Sequence, residues 1–307
     1  MKKLEITLET VTPMFLGGAE AKMSPPELRP PAFRAAMRYW FRAAAGGVIG
    51  DQNLDGLHKL ETAVFGSPDV GSPISIGLVG NLTHALQPIL PHKSNSGRRE
   101  SFGSFQSFQL ILRGKSGISD LVWGNACRAL NLAILFGGVG LRSRRGFGSL
   151  RIVETTDKSV PITPDTFEKE RLVKRTELVP QAAITWVKEL ANSLDVPVTG
   201  LPASPTNFPC AAKEALVRIV QMNSKSPGDL LENMMSVMPQ ADWLGGISPR
   251  QSSPLWMRVF WADDTYHLLL CLLPSKLARG AQNYAEVKAF LDRKFPGKDL
   301  SIPGWNV

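Results

Sequence analysis

Cysteine is nearly absent from this chain of 307 residues: Cys127, Cys210 and Cys271 stand far apart, each among apolar neighbours. That spacing excludes a disulfide framework and a zinc pattern built on paired cysteines, and isolated buried thiols suit the reducing interior of a cell. Histidine is almost as scarce. None of His58, His84, His92 and His267 has a second histidine at ligand spacing, so no imidazole metal site is expected. Asp263-Asp264 is read as turn chemistry between two strands rather than as a metal pair. No apolar run reaches the 18 residues of a membrane helix; the longest, Leu268 to Leu273, has the length of a strand. The N-terminus alternates polar and apolar residues from Met1 to Glu9 instead of offering a continuous apolar signal region, so export is not expected and the cytoplasm is. Serine nucleophile elbows, cysteine–histidine pairs and the GxxxxGK[ST] phosphate loop are missing too. No catalytic residue, metal or cofactor is therefore expected. The one pairing that could serve metal-free RNA cleavage is His92 beside Lys93.

What the chain has is positive charge. Thirty-five Lys and Arg against 27 Asp and Glu give a net charge of +8, a balance that favours an acidic partner, nucleic acid foremost. The charge is concentrated where acids are missing. From Gly137 to Ile152 there is none, while Arg142, Arg144 and Arg145 stand among Gly137, Gly138, Gly140, Gly146 and Gly148. Glycine allows close backbone approach and arginine offers a planar donor fork, a combination suited to a polyanion held by its phosphates. The stretch closes a helix and opens a strand, the wrong polarity for a nucleotide site at a helix N-terminus, and a plain basic turn remains the alternative. A second concentration lies on the helix expected from Pro31 to Ala45, with Gly46-Gly47 as its stop. Phe33, Met37, Trp40, Phe41 and Ala44 share its apolar face, and Arg34, Arg38 and Arg42 form a ridge at intervals of four, with no acid inside the helix to neutralise them.

The expected elements of the first half run as a strand over 4–11, the helix over 31–45, a helix over 54–64, strands over 73–78 and 105–113, a helix from Asp120 to Phe136 and a strand over 150–153. Residues 92–103 read as a polar hairpin tip. Apart from the insertion at 54–64 this is the order of a ferredoxin-like domain, whose open sheet face or loops would meet RNA. Residues 14–31 read as an irregular loop. Further on, 155–180 has weak periodicity, 182–194 a clear helical one, and Leu255–Trp261 with Tyr266–Leu273 form the plainest hairpin in the chain. A last helix is expected over 284–295, giving a second, small α+β domain. The division expected is 1–153, a connecting segment 154–180, and 181–307.

Two motifs resemble a known family. Thr10-Val11-Thr12-Pro13-Met14-Phe15-Leu16-Gly17-Gly18-Ala19, followed by Glu27 to Arg42, is similar to the opening of RAMP subunits, and Leu141 to Leu150 is similar to the glycine-rich signature of that superfamily. Within it the chain resembles the large subunit that caps the backbone of the type III-B CRISPR effector, the Cmr complex. Phe65-Gly66 and Pro249 to Leu255 fit the same resemblance. It implies an α+β fold of two ferredoxin-like (RRM-like) domains with insertions, packed against other RAMP subunits. It also implies contact with guide RNA and target RNA near the guide's 3′ end, in antiviral defence and without catalysis. Carried onto this chain, Arg34, Arg38, Arg42, Gly140, Arg142, Arg144, Arg145, Gly146, Phe147, Gly148 and Arg250 become the expected RNA-facing residues, touching mainly phosphate and sugar, with Phe147 stacking on a base. Replacing Arg144 and Arg145 by Ala is expected to weaken binding to unrelated RNAs alike. An endoribonuclease and a purely structural cap are the alternatives.

Overall fold

The computed structural model describes residues 2–17, 25–155, 168–248, 250–277 and 284–307. The chain opens with β1 (Lys3–Thr10), α1 (Pro30–Ile49), α2 (Leu54–Phe65) and β2 (Ile74–Val79). It continues through β3 (His84–Pro88), β4 (Arg98–Phe102), β5 (Ser107–Gly114), α3 (Asp120–Phe136) and β6 (Leu150–Thr155). The second half holds α4 (Lys169–Ser193), β7 (Leu216–Met222), α5 (Pro227–Ser236), β8 (Gly246–Ile247), β9 (Arg250–Gln251), β10 (Leu255–Ala262), β11 (Thr265–Leu272), α6 (Tyr284–Lys294) and β12 (Lys298–Asp299).

Two four-stranded sheets result, ordered β2-β5-β1-β6 and β10-β11-β7-β12, with every neighbouring pair antiparallel. Each is the sheet of one βαββαβ unit with its first and third strands in the middle, the ferredoxin-like arrangement. The first unit carries two insertions, α2 and the β3–β4 ribbon. In β1 the alternation noted in the sequence puts Leu4, Ile6 and Leu8 against the helices, while Lys3, Glu5, Thr7 and Glu9 face away. The β10–β11 hairpin turns on Asp263 and Asp264, both at positive φ, as a two-residue turn requires.

Two helices depart from expectation. α1 does not stop at Gly46-Gly47 but runs on to Ile49. A side chain at Gly46 would come within 2.6 Å of Cys210 Cβ, and one at Gly47 within 2.7 Å of Ala211 Cβ. The glycines let the 210–211 segment lie against the helix. α4 begins at Lys169, well inside the segment expected to connect the halves, and passes through Pro180 without ending. Its Leu172, Ala183, Ile184, Val187, Leu190 and Ala191 pack into the core of the first sheet, and that tertiary burial outweighs one proline. The remainder of the expected connection, 156–167, lies outside the described residues, as do 18–24 of the proposed 14–31 loop.

The halves share a core. Trp256, Phe260, Leu269 and Cys271 leave the second sheet to pack with Trp40, Phe136 and Leu135 of α1 and α3. The other face of the same strands, through Leu255, Met257, Val259, Leu268 and Leu270, packs on α5 and α6. A sheet buried on both faces explains why β10 and β11 read as nearly continuous apolar runs. Among the described residues, no helix is long and apolar enough to cross a membrane.

Candidate nucleic-acid interface

The two motifs singled out in the sequence lie side by side. Val11 N–H donates to Ser149 O at 2.8 Å, Gly148 N–H to Pro13 O at 2.9 Å and Leu141 N–H to Phe15 O at 2.9 Å, so the segment after β1 is laced to the glycine-rich loop. Thr12 Oγ1 donates to Gly146 O at 2.6 Å and accepts from Ser149 N–H at 3.0 Å. The glycines are needed here: Gly140, Gly146 and Gly148 all have positive φ, and a side chain at Gly148 would run into the Val139 carbonyl.

This loop is also the seam between the two halves. Ser149 Oγ accepts from Val259 N–H of β10 at 3.0 Å, and Arg258 donates to Leu150 O. Phe147, expected to stack on a base, is instead only 2% exposed and packs on Phe15 at 5.1 Å between ring centres, within the second core. No ring face is left for RNA. Flanking glycines do keep bulky neighbours away, but Phe15 and the second core fill the space.

The loop's three arginines divide. Arg144 lies over the rings of Tyr39 and Trp256, at 4.9 and 4.5 Å, and donates to Ser253 O. Burial raises the Tyr39 pKa, with Arg144 opposing it. Arg145 donates to Leu244 O at 3.2 Å and Ser253 Oγ at 3.4 Å; burial, then Arg142 and Arg144, push its pKa down to about 10. Arg142 differs. It stands at φ +59°, its guanidinium makes no hydrogen bond or ion pair among the described residues, and burial lowers its pKa.

Arg142 and Arg145 line a cleft of about 450 Å³ with His92, Leu90, Met235, Met238, Pro239, Gln240, Ala241, Leu244 and Gly245. The tip of the β3–β4 ribbon supplies one wall, the glycine-rich loop another, and α5 with the chain after it the third. Among the described residues no carboxylate lines the cleft, and burial, then Lys93 and Arg142, lower the His92 pKa, with Glu232 opposing. A partly buried cation with no counter-charge is a ready phosphate ligand, and the apolar methionine and leucine wall would accept a sugar or base edge. Sequence reasoning found Arg142 and Arg145 but not α5's share of the cleft, since nothing in Met235 or Met238 distinguishes them from core.

The expected arginine ridge is not free. Arg38 Nε and Arg42 Nη1 both donate to Glu61 Oε1, at 2.5 and 3.0 Å, and Arg34 donates to Ile74 O at 3.2 Å. The acid missing from α1 comes from α2. Arg38 and Arg42 keep about two-fifths of their side chains exposed. The Arg250 side chain, with Pro249, lies outside the described residues. Nor does the first sheet's outer face offer a stacking platform: between Lys3 and Glu9 on β1 it presents Glu5, Thr7 and Glu9, and on β5 Ser107, Gln109, Ile111 and Arg113. Among the described residues no group of three or more His, Cys, Asp or Glu side chains is placed to hold a metal.

Residues 7–151 match the RAMP superfamily. Over 148 residues the chain is 30% identical to the CRISPR system Cmr subunit Cmr1-1 of Pyrococcus furiosus, a match covering 43% of this chain and 43% of that protein. It is 28% identical over 178 residues to Cmr1-2 of the same organism, covering 47% of this chain and 92% of the relative. The match thus spans less than half the length of the first of these relatives. Among solved structures, the apo form of Cmr1 from Pyrococcus furiosus superposes with a TM-score of 0.70 at 20% identity, covering 100% of this chain and 99% of that one. A chain of the type III-B Cmr-beta assembly bound to cognate target RNA and AMPPnP gives 0.66 at 12% identity, covering 94% and 98%. At these identities the superpositions speak for the fold.

Proposed function

We propose, from the premise that residues 7–151 of this chain belong to the RAMP superfamily, that it is the Cmr1-type subunit of a type III-B CRISPR ribonucleoprotein. In that reading it caps the backbone near the 3′ end of the guide and holds guide or target RNA without cutting it. The observation that carries RNA binding is Arg142: a guanidinium on the glycine-rich loop, in a cleft where the described residues supply neither a carboxylate nor a partner for it. Its contacts would go to phosphate, because sequence in a guided complex is read by base pairing and the protein must accept any spacer. The curated relatives named above, both Cmr subunits, support the assembly.

The test is binding of the purified chain to labelled single-stranded RNAs of unrelated sequence, for wild type, Arg142→Ala and Arg142→Lys. One charge-assisted phosphate contact corresponds to a roughly tenfold loss of affinity and a salt slope shallower by about one for Arg142→Ala, alike for every RNA. Lysine should restore most of the slope. Unchanged affinity in a folded Arg142→Ala chain would overturn the assignment. His92, beside Arg142 and held toward its neutral form, favours a second reading as a general base of an endoribonuclease. Denaturing gels of the same samples separate the two: products that disappear in His92→Ala would replace holding by cutting.

A further inference from the structure

The two four-stranded sheets have four edges, and among the described residues one of them is open. β10 turns its edge to the first half, where Ser149 Oγ takes Val259 N–H and Arg258 reaches Leu150 O. β12 is a stub of two residues, and Ile152 of β6 is partnered. β2 remains. Its register with β5 is unbroken from Ile74↔Gly114 to Val79↔Gln109, without a bulge. Lys115 N–H donates to Pro73 O, which fixes the phase: Ser75, Gly77 and Val79 turn their peptide groups inward to β5, and Ile74, Ile76 and Leu78 turn theirs outward. Ile74 O is taken by Arg34 and by Ser72 Oγ, at 3.2 and 2.9 Å. The outward N–H and C=O of Ile76 and Leu78 have no partner among the described residues.

Such an edge is a template for another strand, and proteins ordinarily blunt it with lysine, proline or a bulge. Ile-Ser-Ile-Gly-Leu-Val, residues 74–79, carries none of these. The flanking charge selects what can pair with it. Arg113, on the neighbouring β5, leans across the strand so that a side chain at Gly77 would stand 3.1 Å from its Nη1. Its guanidinium makes no hydrogen bond or ion pair among the described residues. Gly77 leaves the path open between that guanidinium and anything paired beyond the edge. Val79, 56% exposed on the same face, adds an apolar contact.

We propose that the β2 edge is a docking site for an acidic β-strand of a partner polypeptide, which extends the first sheet and sets a carboxylate against Arg113. The peptide groups of Ile76 and Leu78 supply the pairing and Arg113 the selectivity. This surface is on the opposite edge of the sheet from β6, where the glycine-rich loop enters, so it does not depend on the RNA reading.

The test is amide hydrogen exchange of the full chain, alone and with a ten-residue peptide of alternating Glu and Val, with the Lys–Val peptide as counterpart. The expected result is fast exchange at Ile76 and Leu78 in the chain alone and at least tenfold slowing with the Glu–Val peptide. The Lys–Val peptide should have no effect, and Arg113→Glu should reverse the preference. Ile76→Pro should abolish protection; Arg113→Glu serves in its place where the proline variant loses its near-ultraviolet dichroism. Protection by neither peptide, or equally by both, overturns the proposal. Slow exchange already present in the chain alone at high concentration, with sedimentation as a dimer, would give the edge to a second copy and overturn it as well. RNA affinity, measured in parallel, stays at the wild-type value in Arg113→Glu, so a failure here is distinct from a failure at Arg142.

Discussion

Replacing Ser149 by Ala removes one oxygen at the seam between the halves. Ser149 is buried; its Oγ donates to Gly146 O at 2.9 Å and accepts from Val259 N–H at 3.0 Å. Without it Gly146 O still receives Thr12 Oγ1 at 2.6 Å, but Val259 N–H is left bare on the buried edge of β10. An unsatisfied buried donor costs about 1–3 kcal/mol, and a single lost oxygen leaves little cavity to add to it. We expect about 2 kcal/mol, read as a lower urea midpoint at unchanged slope. Thr12→Val removes the other donor to Gly146 O and the acceptor of Ser149 N–H. Either single variant leaves that carbonyl one donor, and the double variant leaves it none. The pair should therefore cost more than the sum of the singles, by on the order of 1 kcal/mol. A Ser149→Ala chain within about 0.5 kcal/mol of wild type, or strict additivity in the pair, refutes the reasoning, since surface-like substitutions lie in that range.

Other consequences are simpler to state. Glu61→Gln, which takes the charge from Arg38 and Arg42, should destabilise α2 against α1 by about 1 kcal/mol, modest because both arginines are partly solvated; an unchanged urea midpoint would contradict it. Gly46→Ala puts a methyl group against Cys210 and should cost roughly 1–3 kcal/mol by overpacking, read by the same melt. His267 is fully buried between Gln221 and Phe260, and burial, then Lys169, lower its pKa against the opposing pull of Asp263 and the Thr265 backbone. Its contribution is present above the unfolded value of about 6.5 and is lost as pH falls toward the lower folded value, with a slope approaching 1.4 kcal/mol per pH unit. His267→Leu should flatten that dependence between pH 7 and the folded pKa; an identical pH profile would exclude His267 as its source.

Much of the fold was legible because local and tertiary signals agreed. The alternation in β1, the hairpin of β10 and β11, and the long apolar run of α3 each had one reading. The misses share a cause: the deciding partner lay far away in sequence. A double glycine reads as a helix stop until Cys210 and Ala211 are seen against it. Pro180 reads as a boundary until α4 is seen buried on the first core. The α1 arginines read as unneutralised because Glu61 belongs to the next helix. At the interface the residue types were visible and their directions were not. Glycines around Phe147 suggest exposure, but Gly146 lets Val259 of β10 come close and Gly148 makes room for the Val139 carbonyl. The open β2 edge was invisible for the same reason: Ile74–Val79 looks like any short strand until its neighbours are known.

The same distinction decides how the glycine-rich loop should be dissected. Arg144 and Arg145 resemble Arg142 in sequence, and the expectation was that losing the pair weakens RNA binding. Both, however, serve the seam: Arg144 holds Ser253 O and stacks on Tyr39 and Trp256, and Arg145 holds Leu244 O and Ser253 Oγ. Arg144→Ala with Arg145→Ala removes donors from carbonyls at the join between halves, at about 0.5–1.5 kcal/mol for each hydrogen bond, together with the ring contacts. We expect a loss of roughly 2–4 kcal/mol, so weaker RNA binding by this variant would first report a loosened cleft. Arg142→Ala removes no such bond and should leave the urea midpoint where it is while lowering affinity. A double variant as stable as wild type that still loses RNA would reverse the assignment and turn Arg144 and Arg145 outward.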